Sequence, residues 1–224
     1  AAAGKLRHLD GRHVTISTSA GVALADSRDR GPDDILKRAD VALYRAKANG
    51  GNGVVVFDRA MLEEMVERQR FEFDLVRAFD CRQFEIWYQP QIDLRTNRPA
   101  GVEALLRWQN PDIGPDRFVP IAEATGIINP IGRWLLEEAS LQHKAWRDHG
   151  LPLIPIAVNV SVVEFRDKDF AQRFINTTRK HEIGASALQL ELTETAVMDD
   201  IDHAAAVLAQ LKAHGVTVLL DDFG

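Results

Sequence analysis

The stretch Gly101-Val102-Glu103-Ala104-Leu105-Leu106-Arg107-Trp108 decides how this chain is read. It reads as a β-strand, and side chains on a strand alternate between two faces. Glu103, Leu105 and Arg107 therefore share one face, and Val102, Ala104 and Leu106 share the other. A carboxylate and a guanidinium on a largely buried element are either a structural ion pair or part of a functional site. This stretch alone leaves both readings open.

Three later stretches repeat the design: an apolar strand with a polar residue near its C-terminal end, then a turn and an amphipathic helix. Ile154 to Ser161 carries Asn159, Leu188 to Glu194 carries Glu191, and Val216 to Asp222 ends on Asp221 and Asp222. The spacing from Asn159 to Glu191 to Asp221 is roughly that of one strand-helix-strand unit of about 30 residues. By parity Asn159 shares a face with Ala157, Glu191 with Gln189, and Asp221 with Leu219, while the opposite faces are almost wholly aliphatic. Strands with one aliphatic face for helices and one mixed face suit a closed parallel barrel, with its site at the strand C-terminal ends. Glu103, Glu191, Asp221 and Asp222 then converge, and two carboxylates about 4 Å apart repel by roughly 4 kcal/mol at an effective dielectric near 20. Retained protons or divalent cations can offset that. The preferred reading is metal, because carboxylates with an amide form an all-oxygen set suited to magnesium or manganese.

The strings YQPQIDL (Tyr88 to Leu94), GVEALLRW, NVS (Asn159 to Ser161), ELTET (Glu191 to Thr195) and LLDDFG (Leu219 to Gly224) resemble, in order, the EAL family of cyclic di-GMP phosphodiesterases. The resemblance implies an α/β fold, an EAL-type TIM-like (β/α) barrel whose first strand runs antiparallel to the rest. It also implies a two-metal site for Mg²⁺ or Mn²⁺. In it Glu103, Asn159, Glu191 and Asp221 hold one metal, Asp221 bridges, and Asp222 serves the second. Arg107 resembles the phosphate contact, and Glu194 the Glu that steadies the loop after the DDFG string. Gln89 either touches the ligand or is a plain strand-end Gln. The implied activity is hydrolysis of cyclic di-GMP to linear pGpG; the alternative is an inert receptor module that binds the nucleotide. Every ligand position visible in this sequence is filled, which favours the enzyme. The loop around Gly114-Pro115 is shorter than the family's usual one. Asp222-Phe223-Gly224 also spells a kinase metal motif, but the other kinase motifs are absent.

Upstream, Arg12 to Leu24 alternates as a strand, Pro32 to Asn49 reads as a helix, and Val54 to Phe57 reads as a second strand. Gly50-Gly51-Asn52-Gly53 reads as a helix stop and tight turn rather than a phosphate nest. SAGVA (Ser19 to Ala23) and ADVALYRAKANGGN (Ala39 to Asn52) resemble the C-terminal end of a GGDEF, or diguanylate cyclase, domain. The resemblance covers about the last third of such a domain. Gly51 stands where the family usually has a phosphate-contacting Arg, leaving Lys47 as a lone contact. The expected organisation is a GGDEF remnant over residues 1–58, a helical connector over 59–82, and the N-terminal part of an EAL domain over 83–224. Further on, a helix is expected near Ile121 to Thr125, and another opening at Asn129-Pro130 and closed by Gly150. Asp167 and Asp199 or Asp200 are expected to cap helices ending near His181 and His214.

Composition sets the remaining limits. With 46% hydrophobic and 27% charged residues and a mean hydropathy of -0.18, the chain is an ordinary globular one. A net charge of -6 with no basic, aromatic-interleaved run argues against a nucleic-acid polymer as partner. Cys81 is the only cysteine, so no disulfide framework exists, which fits a reducing, cytoplasmic setting. No segment has the length and apolarity of a membrane span. The chain starts at Ala1 without Met, so upstream sequence is expected, and the family resemblance implies a sensor domain there in the complete protein. About three barrel strands and the family's downstream Lys, Glu and Gln are expected beyond Gly224, so the chain alone is expected to be inactive and poorly stable. A homodimer through the EAL domain is a further expectation from the resemblance.

Overall fold

A computed structural model describes residues 6–9, 12–15, 17–27 and 29–221. The chain divides into two compact units, Ala1–Phe71 and Glu72–Gly224. In the first, strands β1 (Leu6–Leu9) and β2 (Arg12–Thr15) form an antiparallel pair. Strands β3 (Ala20–Val22) and β4 (Val54–Val56) pair in parallel across helix α1 (Pro32–Ala48). The single strand expected over Arg12 to Leu24 is thus split between two sheets, since alternation alone does not show where a strand changes partner. Helix α1 starts with Pro32 in its first turn, where a missing N–H is harmless, and carries Asp33 and Asp34 there and Arg45 and Lys47 in its last turn. It buries Ala42 and Ala46. Gly21 permits its close approach to β3, because a Cβ there would stand 2.1 Å from the Ala39 carbonyl oxygen. Gly50, Gly51 and Asn52 all have positive φ, and Gly51 N–H returns to the Ala46 carbonyl, which is the expected helix stop.

Helix α2 (Arg59–Asp80) runs through the division between the units. The second unit then holds β5 (Phe84–Asp93), β6 (Arg98–Trp108), α3 (Pro115–Thr125), α4 (Ile128–Asp148), β7 (Ile156–Val160), α5 (Val162–Phe165), α6 (Phe170–Lys180), β8 (Leu188–Thr193), α7 (Glu194–Met198), α8 (Ile201–Ala213) and β9 (Thr217–Asp221). The five strands lie side by side in chain order. β5 is antiparallel to β6, and every later pair is parallel. This is the barrel-type progression, in which each parallel strand is followed by helices.

Alternation decides which face the helices cover. Val102, Ala104, Ile156, Val158, Val160, Leu188, Leu190 and Leu192 point into one core with Leu135, Ala139, Phe174 and Leu211 of the helices. Each such large aliphatic side chain contributes about 1.5–3 kcal/mol by burial. Helix α3 starts at Pro115, earlier than expected. Pro120 inside it looks like a breaker in sequence, but Gly114-Pro115 already supplies the N-terminus and the Gly126 left-handed cap the end. Asp200 caps α8 by accepting from His203 N–H at 3.0 Å, whereas Asp199 pairs with Arg166. Asp167 accepts from Asp169 N–H and pairs with Arg173 one turn into α6. His181 and His214 are the C-cap residues of α6 and α8. Among the described residues no helix is long and apolar enough to cross a membrane.

Candidate functional site

Parallel pairing brings the C-terminal ends of β6 to β9 to one end of the sheet. Glu103 stands opposite Ala157, Asn159 opposite Glu191, and Thr193 opposite Asp221. The alternation that sends Val158, Val160, Leu190 and Leu192 toward the helices puts Asn159 and Glu191 on the other face.

The structure joins Glu103 and Asn159 directly: Asn159 Nδ2 donates to Glu103 Oε1 at 2.7 Å. Glu191 is 8% exposed and accepts from Gln91 Nε2 at 3.2 Å. Burial holds the Glu191 carboxyl above the usual carboxylate range, and the charge of Glu103 and then that of Asp221 push it further in the same direction. The Gln91 hydrogen bond acts the opposite way. Glu191 on β8 therefore feels Glu103, two strands away on β6, and Asp221, on the neighbouring β9, as like charges.

Arg107 is not the ion-pair partner of Glu103. Its Nη1 donates to the Leu106 carbonyl at 2.9 Å, and its Cζ lies 5.7 Å from the centroid of the Trp87 ring. Trp87 is held in turn by Nε1 donating to Glu85 Oε1 at 2.6 Å. One of five guanidinium N–H donors is thereby used on the Leu106 carbonyl, and the planar group is parked over an indole face. Gln89 faces Glu103 in register and is exposed. Glu194 is the exposed first residue of α7. Asp222 lies outside the described residues, as does the loop Glu194 is expected to steady.

Gln91 and Trp87 are site residues that the sequence reading passed over. Parity offered the signal, because Trp87, Gln89 and Gln91 alternate onto one face of β5 and pair with Leu105, Glu103 and Gly101. The donor chemistry fits a hard divalent cation: three carboxylates and an amide oxygen, with a raised Glu191 pKa that a cation would offset. Among the described residues no three His, Cys, Asp or Glu side chains are arranged as a metal cage. Instead the two amide hydrogen bonds hold Glu103 and Glu191.

The sequence model of the EAL domain family matches residues 73–224. The chain belongs to the EAL domain family. The bifunctional diguanylate cyclase/cyclic di-GMP phosphodiesterase MucR of Pseudomonas aeruginosa is 40% identical over 218 residues, covering 95% of this chain and 32% of MucR. Cyclic di-GMP phosphodiesterase NbdA of the same organism is 32% identical over 219 residues, covering 96% of this chain and 28% of NbdA. The chain thus spans about a third or less of the length of these relatives. Among solved structures, the PaMucR phosphodiesterase in complex with c-di-GMP superposes with a TM-score of 0.66 at 40% identity, covering 69% of this chain and 64% of that one.

Proposed function

We propose that the complete protein hydrolyses cyclic di-GMP to linear pGpG at the strand-end cluster, with Mg²⁺ or Mn²⁺ as cofactor. The observation that carries this is the buried Glu191 carboxyl, its pKa raised first by burial and then by the charges of Glu103 and Asp221, in a chain of the EAL family. The names of MucR and NbdA and the c-di-GMP complex of PaMucR support the choice of substrate.

Glu103, Asn159, Glu191 and Asp221 would hold one cation, and Asp221 with Asp222 a second. When bound, the ions supply Lewis acidity toward the phosphoryl oxygens and a more acidic water. Arg107 turns its remaining N–H donors to a phosphoryl oxygen, and the Trp87 ring beneath it fixes the plane of the guanidinium. Gln89 orients the ligand from β5 beside Glu103. Gln91 fixes the rotamer of Glu191 through its hydrogen bond, and Glu194 steadies the loop that follows β9.

Residues 1–58 are assigned to the end of a GGDEF domain, 59–82 to a connector and 83–224 to the EAL domain. The β3-α1-β4 unit and the match to MucR along 95% of the chain support that division. An upstream sensor, a cytoplasmic setting and a dimer through the EAL domain complete the proposal. Incubating the complete protein with cyclic di-GMP and Mg²⁺ or Mn²⁺, with a chelator control, and separating the nucleotides by chromatography tests it. Linear pGpG is expected only with metal; intact substrate with binding retained would make the protein a receptor instead.

A further inference from the structure

On the helix side of the sheet, α4, α5 and α6 leave a cavity of about 290 Å³ against β7 and β8. Val158, Val160, Leu190, Phe170 and Phe174 give it apolar walls. Val158 and Val160 flank Asn159 in β7, so the cavity backs directly onto the strand end of the candidate site. One wall carries a polar group, Glu164, which is 8% exposed.

Glu164 closes the capping box of α5, its Oε2 accepting from Ser161 N–H at 3.3 Å. Ser161 is the one donor residue to this carboxyl among the described residues, through its N–H and its side chain. Its Oε1 occupies the space a side chain at Gly132 of α4 would need, since a Cβ there would stand 1.6 Å away. The Glu164 carboxyl lines the cavity, where water or a ligand donor can use its remaining acceptor capacity. Burial raises the Glu164 pKa to about 7. In either protonation state the carboxyl keeps an accepting lone pair.

Of the three cations that line the cavity two are ion-paired, and the third, Arg133, is exposed and acts on the Asp167 carboxylate. Arg173 pairs with Asp167 at 2.7 Å and Lys180 with Glu137 at 2.9 Å. The Arg173 charge also acts on Glu164, which disfavours a cation beside that carboxyl. The volume lies near the lower end of small-molecule pockets, and a cavity of about 150 Å³ already holds benzene. We propose that this cavity binds an uncharged aromatic molecule of one or two rings whose single N–H or O–H donor is accepted by Glu164. The proposal does not rest on the hydrolytic reading.

Indole is a suitable probe, with N-methylindole as the partner that lacks the donor. Saturation-transfer NMR titrations on the full-length protein should show indole binding, with N-methylindole weaker by about fivefold, the worth of one hydrogen bond. Thr177→Trp, at the α6 wall, should abolish the signal by plugging the cavity. If that variant fails to fold by circular dichroism, Leu136→Phe, which fills the cavity from α4, serves instead. Absence of indole binding at millimolar concentration, equal binding of the two probes, or binding unchanged in a folded plugged variant would overturn the proposal.

Discussion

Replacing Glu164 by Gln should stabilise the protein at pH 8 far more than at pH 5. The side chain is 8% exposed, and burial moves its pKa from 4.5 to about 7. A carboxyl with a raised folded pKa favours the folded state while it is protonated. That advantage is fully present below the unfolded pKa of 4.5 and is lost as pH rises through about 7. At about 1.36 kcal/mol per unit, ionising Glu164 costs about 3 kcal/mol once pH exceeds 7, and under about 1 kcal/mol at pH 5. Gln keeps the volume and an oxygen that can accept from Ser161 N–H, so the capping box survives while the buried charge goes. Urea denaturation of wild type and variant at both pH values reads the effect. The gain should grow by roughly 2–3 kcal/mol between pH 5 and pH 8. An equal gain at both pH values, or a loss at pH 8, would refute the buried-charge reasoning.

Gly132→Ala should destabilise by about 1–3 kcal/mol, because its Cβ would collide with the Glu164 carboxyl; the loss should shrink markedly in a Glu164→Ala background, as a double-mutant cycle would show. Arg107→Ala should weaken nucleotide binding about ten- to a hundredfold while leaving Mn²⁺ binding within a few-fold, since a charge-assisted hydrogen bond is worth roughly 1.5–3 kcal/mol and Arg107 cannot ligate a cation. Calorimetry separates the two, and equal losses would make the residue structural. Mn²⁺ affinity should fall as pH drops toward the raised Glu191 pKa, because the proton competes with the metal; an affinity that does not fall as pH is lowered into the ordinary carboxylate range would contradict the site's charge coupling.

The strand ends were legible because strand parity is unambiguous where one face is aliphatic. The Val102-Ala104-Leu106 face and the Glu103-Leu105-Arg107 face separate in the structure as alternation requires. Which side chains touch was not legible. Glu103 and Arg107 look like a pair in sequence, yet Glu103 bonds Asn159, 56 residues away, and Arg107 turns to Trp87 on the antiparallel neighbour. Gln91 reaches Glu191 across 100 residues, a contact fixed by sheet register that no local spacing encodes. The cavity beside Glu164 was equally hidden. Ser161 and Glu164 form a local capping signal, but the space depends on Gly132 arriving from another helix. At the N-terminus the periodicity of Arg12 to Leu24 did not reveal that its two halves pair with different strands.

The central claim is that the Glu103, Asn159, Glu191 and Asp221 cluster is the hydrolytic centre of a cyclic di-GMP phosphodiesterase. Its most direct test is the rate of pGpG formation by the complete protein with saturating Mn²⁺, in wild type and in Glu191→Gln. Gln at 191 keeps an acceptor for Gln91 but removes the carboxylate. The account predicts steady pGpG production by wild type and a loss of at least about a hundredfold in the variant, corresponding to roughly 2.7 kcal/mol of transition-state stabilisation, with the fold intact by circular dichroism. Undiminished turnover by Glu191→Gln would contradict it.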